Sequence, residues 1–418
     1  MHEAGHDHSA RLAACQLERP APARTRSWPS PAISSPSRRR TRPAPAYDEC
    51  VDRICAELSS LGIDYRLVET GDPETRRQAI LGEVGDSGPL LYLHGHYDVV
   101  PAFAPEQFQP RIVDGRLIGR GASDMKGGVA AIIHAARAAA DAGRRIGLVV
   151  VPDEETGGRL GSERLAALGC LDASAAAAIV AEPTWGTIWH ACRGAFTLRV
   201  AVRGKAAHVG LHYEGVNAFA AAVDVALALR NLEQSLRARK SGLSFSSSDP
   251  RAAESIMLVG GLAGGGTSFN IVPAEFSFTV DRRPNPDEDY DEAKEELLAV
   301  LESARARGID LDWQVLQDAR SSVAPASGDF VQTVVAAVSA VTGATPSVTC
   351  CPGVLEIRVY NQLGVPAVAV GPGLIERMHS PDEDVPLANL VAAARVYAEV
   401  AGALAGRYRG AAGLDCTG

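Results

Sequence analysis

The chain has 418 residues, enough for two compact domains each with its own core, and its 46% hydrophobic and 22% charged content is that of an ordinary globular protein. With 50 acidic against 41 basic residues the net charge is -9, which excludes a general nucleic-acid binder, since that would need a basic face. The eight cysteines include no C-x-x-C pair, and a chain this long needs no disulfide staples, so reduced thiols and a cytoplasmic setting are expected.

Residues 1–45, rich in Arg, Pro and Ser and carrying Arg38, Arg39 and Arg40, read as a disordered tail. The start lacks the apolar core of a secretory signal, and no run reaches the roughly 18 apolar residues of a membrane helix, so a soluble protein without a membrane partner is expected. The first helix is predicted over 48–61, where Val51, Ile54, Cys55 and Leu58 recur at helical spacing and Gly62 supplies the stop. Short apolar runs then alternate with helical stretches such as 125–142: LLYL at 90–93, IGLVVV at 146–151, AIV at 178–180 and VPAVAV at 365–370. Continuous runs of this kind predict strands buried on both faces, hence an α/β fold with a mainly parallel sheet and helices on both faces.

Between 192 and 308 the pattern changes. Phe196, Leu198, Val200 and Val202 alternate with polar or small residues, as do Phe276, Phe278 and Val280, which predicts half-exposed antiparallel strands. Helices are expected near 216–239 and 287–307. An α+β domain at 192–308 is thus read as inserted into a larger domain made of 46–191 and 309–418.

In an open α/β sheet, reactive groups collect in the loops beyond the carboxyl ends of the strands. LLYL leads to His94, His96 and Asp98; IGLVVV leads to Asp153, Glu154 and Glu155; AIV leads to Glu182; VPAVAV leads to His379. Asp124 sits in GRGASDMKGG just before a helix. Imidazoles and carboxylates suit zinc and related divalent ions, and two His with three carboxylates could serve two of them. Three carboxylates, two divalent ions and a bridging hydroxide sum to neutrality, whereas the carboxylates alone would repel one another. His94 is expected to be a hydrogen-bonded strand histidine rather than a ligand.

The segments HGHYDVVP, GRGASDMKGG, DEETGG, AEPT, GKAAHVG and MHSPDEDV resemble, in order and approximate spacing, the family of acetylornithine deacetylase, succinyl-diaminopimelate desuccinylase, aminoacylase and the glutamate carboxypeptidases. The resemblance runs from about 46 to 405 and implies a zinc-peptidase-like fold with an inserted lid or dimerisation domain. It implies that Asp124 bridges two metal ions, that His96 and Glu182 complete one site, and that Glu155 and His379 complete the other. The cofactor expected is two divalent ions per chain, zinc or cobalt. Glu154 would be the general base acting on a metal-bridging hydroxide, and Asp98 would orient His96 by accepting its free N–H. His208 of GKAAHVG would stabilise the oxyanion from the inserted domain of a partner subunit, so a homodimer is implied.

The substrate expected is a small N-acyl amino acid or short peptide carrying a free carboxylate, which calls for a cation. Strand alternation in AEFSFTVDRR puts Arg283 on the open side and Arg282 on the packed side; Asn270 and Arg358 are further candidates for substrate contact. The leading expectation is a deacylase of the acetylornithine or succinyl-diaminopimelate kind. A carboxypeptidase or dipeptidase using the same centre is the alternative, and a catalytically silent protein of the same fold is the third reading.

Overall fold

A computed structural model describes residues 44–71 and 77–412, so nearly all of the expected tail at 1–45 lies outside the described residues. The chain opens with α1 (Ala44–Ser60), β1 (Asp64–Glu69), β2 (Gln78–Val84) and β3 (Leu91–His96), and a small hairpin follows, β4 (Arg111–Val113) and β5 (Arg116–Ile118). After α2 (Gly127–Asp141) come β6 (Ile146–Val151), α3 (Ser162–Ala167), β7 (Ala177–Val180) and β8 (Thr187–Cys192). Then follow β9 (Ala195–Arg203), α4 (Ala218–Leu236), β10 (Ile256–Gly265), β11 (Glu275–Arg283), α5 (Tyr290–Ala306) and β12 (Leu311–Ala319). The last elements are β13 (Ser322–Val323), α6 (Asp329–Thr342), β14 (Ser347–Cys351), α7 (Ile357–Gln362), β15 (Ala367–Ala369), β16 (Asp384–Pro386) and α8 (Leu387–Ala412).

The large sheet runs β1-β2-β6-β3-β7-β15-β8-β13, with β14 also paired to β8. Its centre, β6, β3, β7 and β15, is parallel. Every residue of β3, β6, β7 and β15 is buried, as continuous apolar runs require when helices cover the sheet. Parallel strands end at one edge, so the loops after β3, β6, β7 and β15 converge there. The start of α2 is pressed onto the same edge: a Cβ at Gly128 would lie 2.3 Å from the Ala181 carbonyl oxygen, so only glycine fits. That close approach brings the segment before α2, which carries Asp124, beside the segment after β7, which carries Glu182. The C-terminal helix α8 is long and apolar enough to cross a membrane, but it packs against α2 and α6 and buries Leu390, Val396, Tyr397 and Val400.

The second sheet, β10-β11-β9-β12, is antiparallel. One face carries Phe196, Leu198, Val200 and Val202 and packs with Val225, Leu229, Leu297 and Leu301 of α4 and α5 into a separate core. Asn217 and Asp289 cap these two helices with their side chains, each accepting from two backbone N–H groups. The inserted domain ends later than the sequence suggested. β12, the alternating segment with Leu311, Trp313 and Val315, pairs with β9 from Leu311↔Val202 to Ala319↔Ala195, so the insertion reaches Ala319 rather than 308. The helix stop at Gly308 resembled a domain boundary, but it is the turn into the edge strand of the same sheet.

Candidate metal centre and active-site cleft

His96 is the last residue of β3 and is fully buried. Its Nδ1 donates to the Asp98 carbonyl at 3.1 Å, which leaves Nε2 facing Asp124 Oδ1 at 3.1 Å. Asp124 turns its other oxygen, Oδ2, to His379 Nε2 at 3.0 Å, and His379 lies 3.3 Å from Glu155 Oε2. The ligand-capable atoms therefore form two groups, His96 with Asp124 and Glu182, and Asp124 with Glu155 and His379, each within 4.8 Å and sharing Asp124. This is the five-residue set read from the sequence, divided between two sites as the resemblance implies.

The donor set fits divalent cations. Among the described residues, one oxygen of Glu182, Oε1, is buried with no hydrogen-bond partner, which is costly for a carboxylate unless a cation takes up its charge. Burial, then the Asp124 charge, pushes the Glu182 carboxyl well above its usual range. His379 is raised to about 10 by its bonds to Asp124 and Glu155, while burial opposes the charging of Asp124 but the two imidazoles hold it well below the ordinary carboxylate range. Protons thus partly balance, in the ion-free protein, a negative charge that metal would balance instead.

Glu154 follows β6 and lines the cleft with Glu155; its Oε2 is 3.9 Å from His96 Nε2. Burial pushes its carboxyl well above the usual range, Glu182, Glu155 and Glu356 reinforcing the shift and His96 opposing it. Asp98 accepts the free His96 N–H, the contact the sequence reading gave it, and also holds the neighbouring loop. Its carbonyl is what meets His96 Nδ1, while its carboxylate, at 3.4 Å from that nitrogen, accepts the backbone N–H groups of Glu154 at 3.2 Å and Glu155 at 3.1 Å. Asp98 therefore fixes the loop that presents both glutamates.

Two supports were not found from the sequence. Glu383 is almost fully buried and accepts the backbone N–H groups of Gly121, Ser123 and Asp124 at 2.9, 3.0 and 3.0 Å, with Arg120 pairing the same carboxylate. It shapes the loop that aims Asp124; the signal was its place four residues after His379 in MHSPDEDV. Removing this support in Glu383→Ala is expected to weaken metal affinity by about 10- to 100-fold, read by competition with a chromogenic chelator. An unchanged affinity would show that the loop holds its shape without it. The other support is Glu356, which meets His94 Nε2 with one oxygen and accepts the Ser162 hydroxyl with the other, while His94 Nδ1 bonds the Tyr360 hydroxyl at 2.8 Å. His94 is thus a satisfied buried histidine, as its strand position suggested.

Between the loop at 153–163, the segment 354–358 and the open face of the inserted sheet lies a cleft of about 1700 Å³. Arg283 lines it, bound through Nε to Asp281 at 3.0 Å, while Arg282 is fully buried on Glu288 and Ser255, the division that strand alternation gave. Arg358 is not a free cation for a substrate carboxylate. It is buried in the first turn of α7, and its Nη2 donates to Glu163 Oε1 at 2.5 Å, so its charge is already taken. His208 and Asn270 come together on the inserted domain, through a bridge between His208 and Ile271 and a bond from Val209 N–H to the Asn270 carbonyl at 2.9 Å. His208 is exposed, and neither residue lines the cleft of its own chain.

Comparison with known proteins matches residues 92–403 to the model of peptidase family M20/M25/M40. A succinyl-diaminopimelate desuccinylase from Phenylobacterium zucineum is 29% identical over 378 residues, covering 87% of this chain and 94% of that protein. Solved structures of similar fold include a dipeptidase from Saccharomyces cerevisiae, TM-score 0.71 at 15% identity, with 96% of each chain covered. Another is a dinuclear metal-binding peptidase from Bacillus subtilis, TM-score 0.64 at 16% identity, covering 97% of this chain and 99% of that one.

Proposed function

The chain belongs to peptidase family M20/M25/M40 and is a hydrolase of amide bonds, and from that premise we propose that it is a dinuclear metallo-deacylase removing the acyl group from an N-acyl amino acid. The observation that carries this reading is the pair of ligand groups sharing Asp124, with Glu154 beside them and lining a cleft. His96, Asp124 and Glu182 would hold one divalent ion and Asp124, Glu155 and His379 the other, zinc being the choice that imidazole and carboxylate donors favour. Bound there, the ions supply Lewis-acid activation of water and of the amide carbonyl.

The protein's own groups do the rest. Glu154, held by the Asp98 clamp on its backbone, takes the proton of the attacking water and returns it to the leaving amine, a role suited to a carboxyl whose proton affinity burial has raised. Arg283 on the opposite wall binds the carboxylate beside the amide through its Nη groups, since Asp281 engages only its Nε and so orients the guanidinium.

His208 reaches the site from a partner subunit in a homodimer. Support for the dimer lies on the inserted domain: β10 is an edge strand carrying exposed Leu258 and Leu262, and α4 exposes Phe219, Val223 and Leu227. A cytoplasmic setting belongs to the same reading, supported by six free cysteines among the described residues.

The desuccinylase relative favours a deacylase, and the dipeptidase neighbour keeps cleavage of a dipeptide as the second reading. The test is a hydrolysis panel of N-acetyl and N-succinyl amino acids against dipeptides with zinc-loaded protein. Turnover of the acyl amino acids is expected; turnover confined to dipeptides would overturn the deacylase reading, and none on either class would overturn the hydrolase assignment.

A further inference from the structure

On β9 and β11 the open face of the inserted sheet presents Thr197, Ser277, Thr279 and Asp281 to the cleft, and the residue at its middle is a cation. Arg199 lies on β9, the strand between β11 and β12, and its direct neighbours across the sheet are Thr279 and Gln314. All three line the cleft. Arg199 is half-buried, and both cross-strand neighbours are neutral. The nearby acid on this face, Asp281, is already engaged, by Arg283 through both oxygens and by the Thr197 hydroxyl at 2.9 Å. Among the described residues, the Arg199 side chain has no ion pair or hydrogen bond, in contrast to Arg283 and Arg358 on the same cleft, which each hold a carboxylate.

A half-buried guanidinium on a sheet face loses hydration without regaining it from a partner, which is unfavourable unless a ligand completes it. Arg199 lies on the wall opposite Glu154 and Glu155, so an anionic group remote from the scissile amide can reach it without displacing a carboxylate the guanidinium already holds. Arg283 and Thr279 are four residues apart on one strand, about 13 Å at the usual strand rise, and Arg199 is one strand further over, so the two guanidiniums occupy separate stations on one wall.

Resting on the reading of this site as an amide hydrolase, we propose that Arg199 is a specificity-determining residue that binds a second, distal carboxylate of the substrate. The substrate class is then an acyl amino acid or peptide with two anionic groups: one beside the scissile amide for Arg283, the other remote from it, on a dicarboxylic acyl group or an acidic side chain.

The experiment compares matched pairs on zinc-loaded wild-type, Arg199→Gln and Arg199→Lys protein: N-succinyl against N-butyryl amino acids, and N-acetylglutamate against N-acetylglutamine. Wild type is expected to prefer the acidic member of at least one pair in kcat/KM. Arg199→Gln should cut that preference about 10- to 100-fold, mainly through KM, in line with the loss of a charge-assisted hydrogen bond, and Arg199→Lys should restore part of it. Equal losses on both members of each pair would overturn the proposal and assign Arg199 to closure of the cleft. No acid preference in wild type would also overturn it.

Titration calorimetry with glutarate separates this proposal from the reading beneath it, because it needs no turnover. If the panel gives no hydrolysis, the hydrolase reading fails, whereas glutarate binding that is weaker in Arg199→Gln still supports the anion station. Equal glutarate binding in the two proteins sinks it.

Discussion

Glu154→Gln is expected to lower turnover by about 10²- to 10⁴-fold while leaving the metal content near two ions per chain. The amide keeps the size of the carboxylate and its place beside His96, and it belongs to neither ligand group, so the ions stay while the proton acceptor is lost. Because Asp98 grips the Glu154 backbone rather than its side chain, the loop geometry survives the substitution. KM is expected to change little, which separates this variant from those at the Arg283 wall. Steady-state kinetics with elemental analysis of the same preparation check both halves; near-normal turnover would remove Glu154 from the chemistry.

The second large effect comes from stripping the metal. Glu154, Glu182, His96 and His379 all bind protons more tightly in the ion-free folded protein than in the unfolded chain. The stability they give is fully present below their ordinary values, 4.5 for the glutamates and 6.5 for the histidines, and is lost as pH rises, for His379 through about 10. Asp124 and Glu356 are shifted down, so their contribution persists above their ordinary values of 3.8 and 4.5 and disappears only in acid. From about pH 5 upward the first set alone acts, and the chelated protein should melt at progressively lower temperature as pH rises. Zinc should remove that slope and raise the midpoint by roughly 10 °C at a thousandfold excess over Kd, since binding confined to the native state adds about 4 kcal/mol for each of the two ions there. Calorimetric scans of chelated and zinc-loaded protein across that range decide it; a chelated protein whose melting temperature is flat or rises with pH would contradict the charge cluster described above.

The parallel centre of the large sheet was legible because β3, β6 and β7 are continuous apolar runs, and the candidate ligands because these runs lead to a His or a carboxylate, with Asp124, before α2, added by the family resemblance. Burial of both strand faces leaves that periodicity no ambiguity, and strand ends have a fixed chemical meaning in such sheets. Partners distant in sequence were not legible. Nothing local tells that Glu356 meets His94 and Ser162 from 262 and 194 residues away, or that Glu163 neutralises Arg358 from 195. The domain end at 308 failed for a related reason: a helix stop is a local signal, whereas membership of a sheet is decided by the register with β9. Arg199 shows the same limit, since its exposure to the cleft could be read from alternation but its lack of a carboxylate partner could not.

β8 and β13 are antiparallel neighbours in the large sheet, with Ser322 opposite Cys192, and the whole inserted domain is spliced between them. The chain leaves and returns side by side, since Ala195 is also paired with Ala319 at the root of the excursion. Topologically, more than a hundred residues are the tip of one hairpin. A metal-holding body whose only covalent link to its cover is such a narrow neck can exchange the cover over evolution without rebuilding the centre, so reaction type and substrate choice are inherited on separate pieces of the chain.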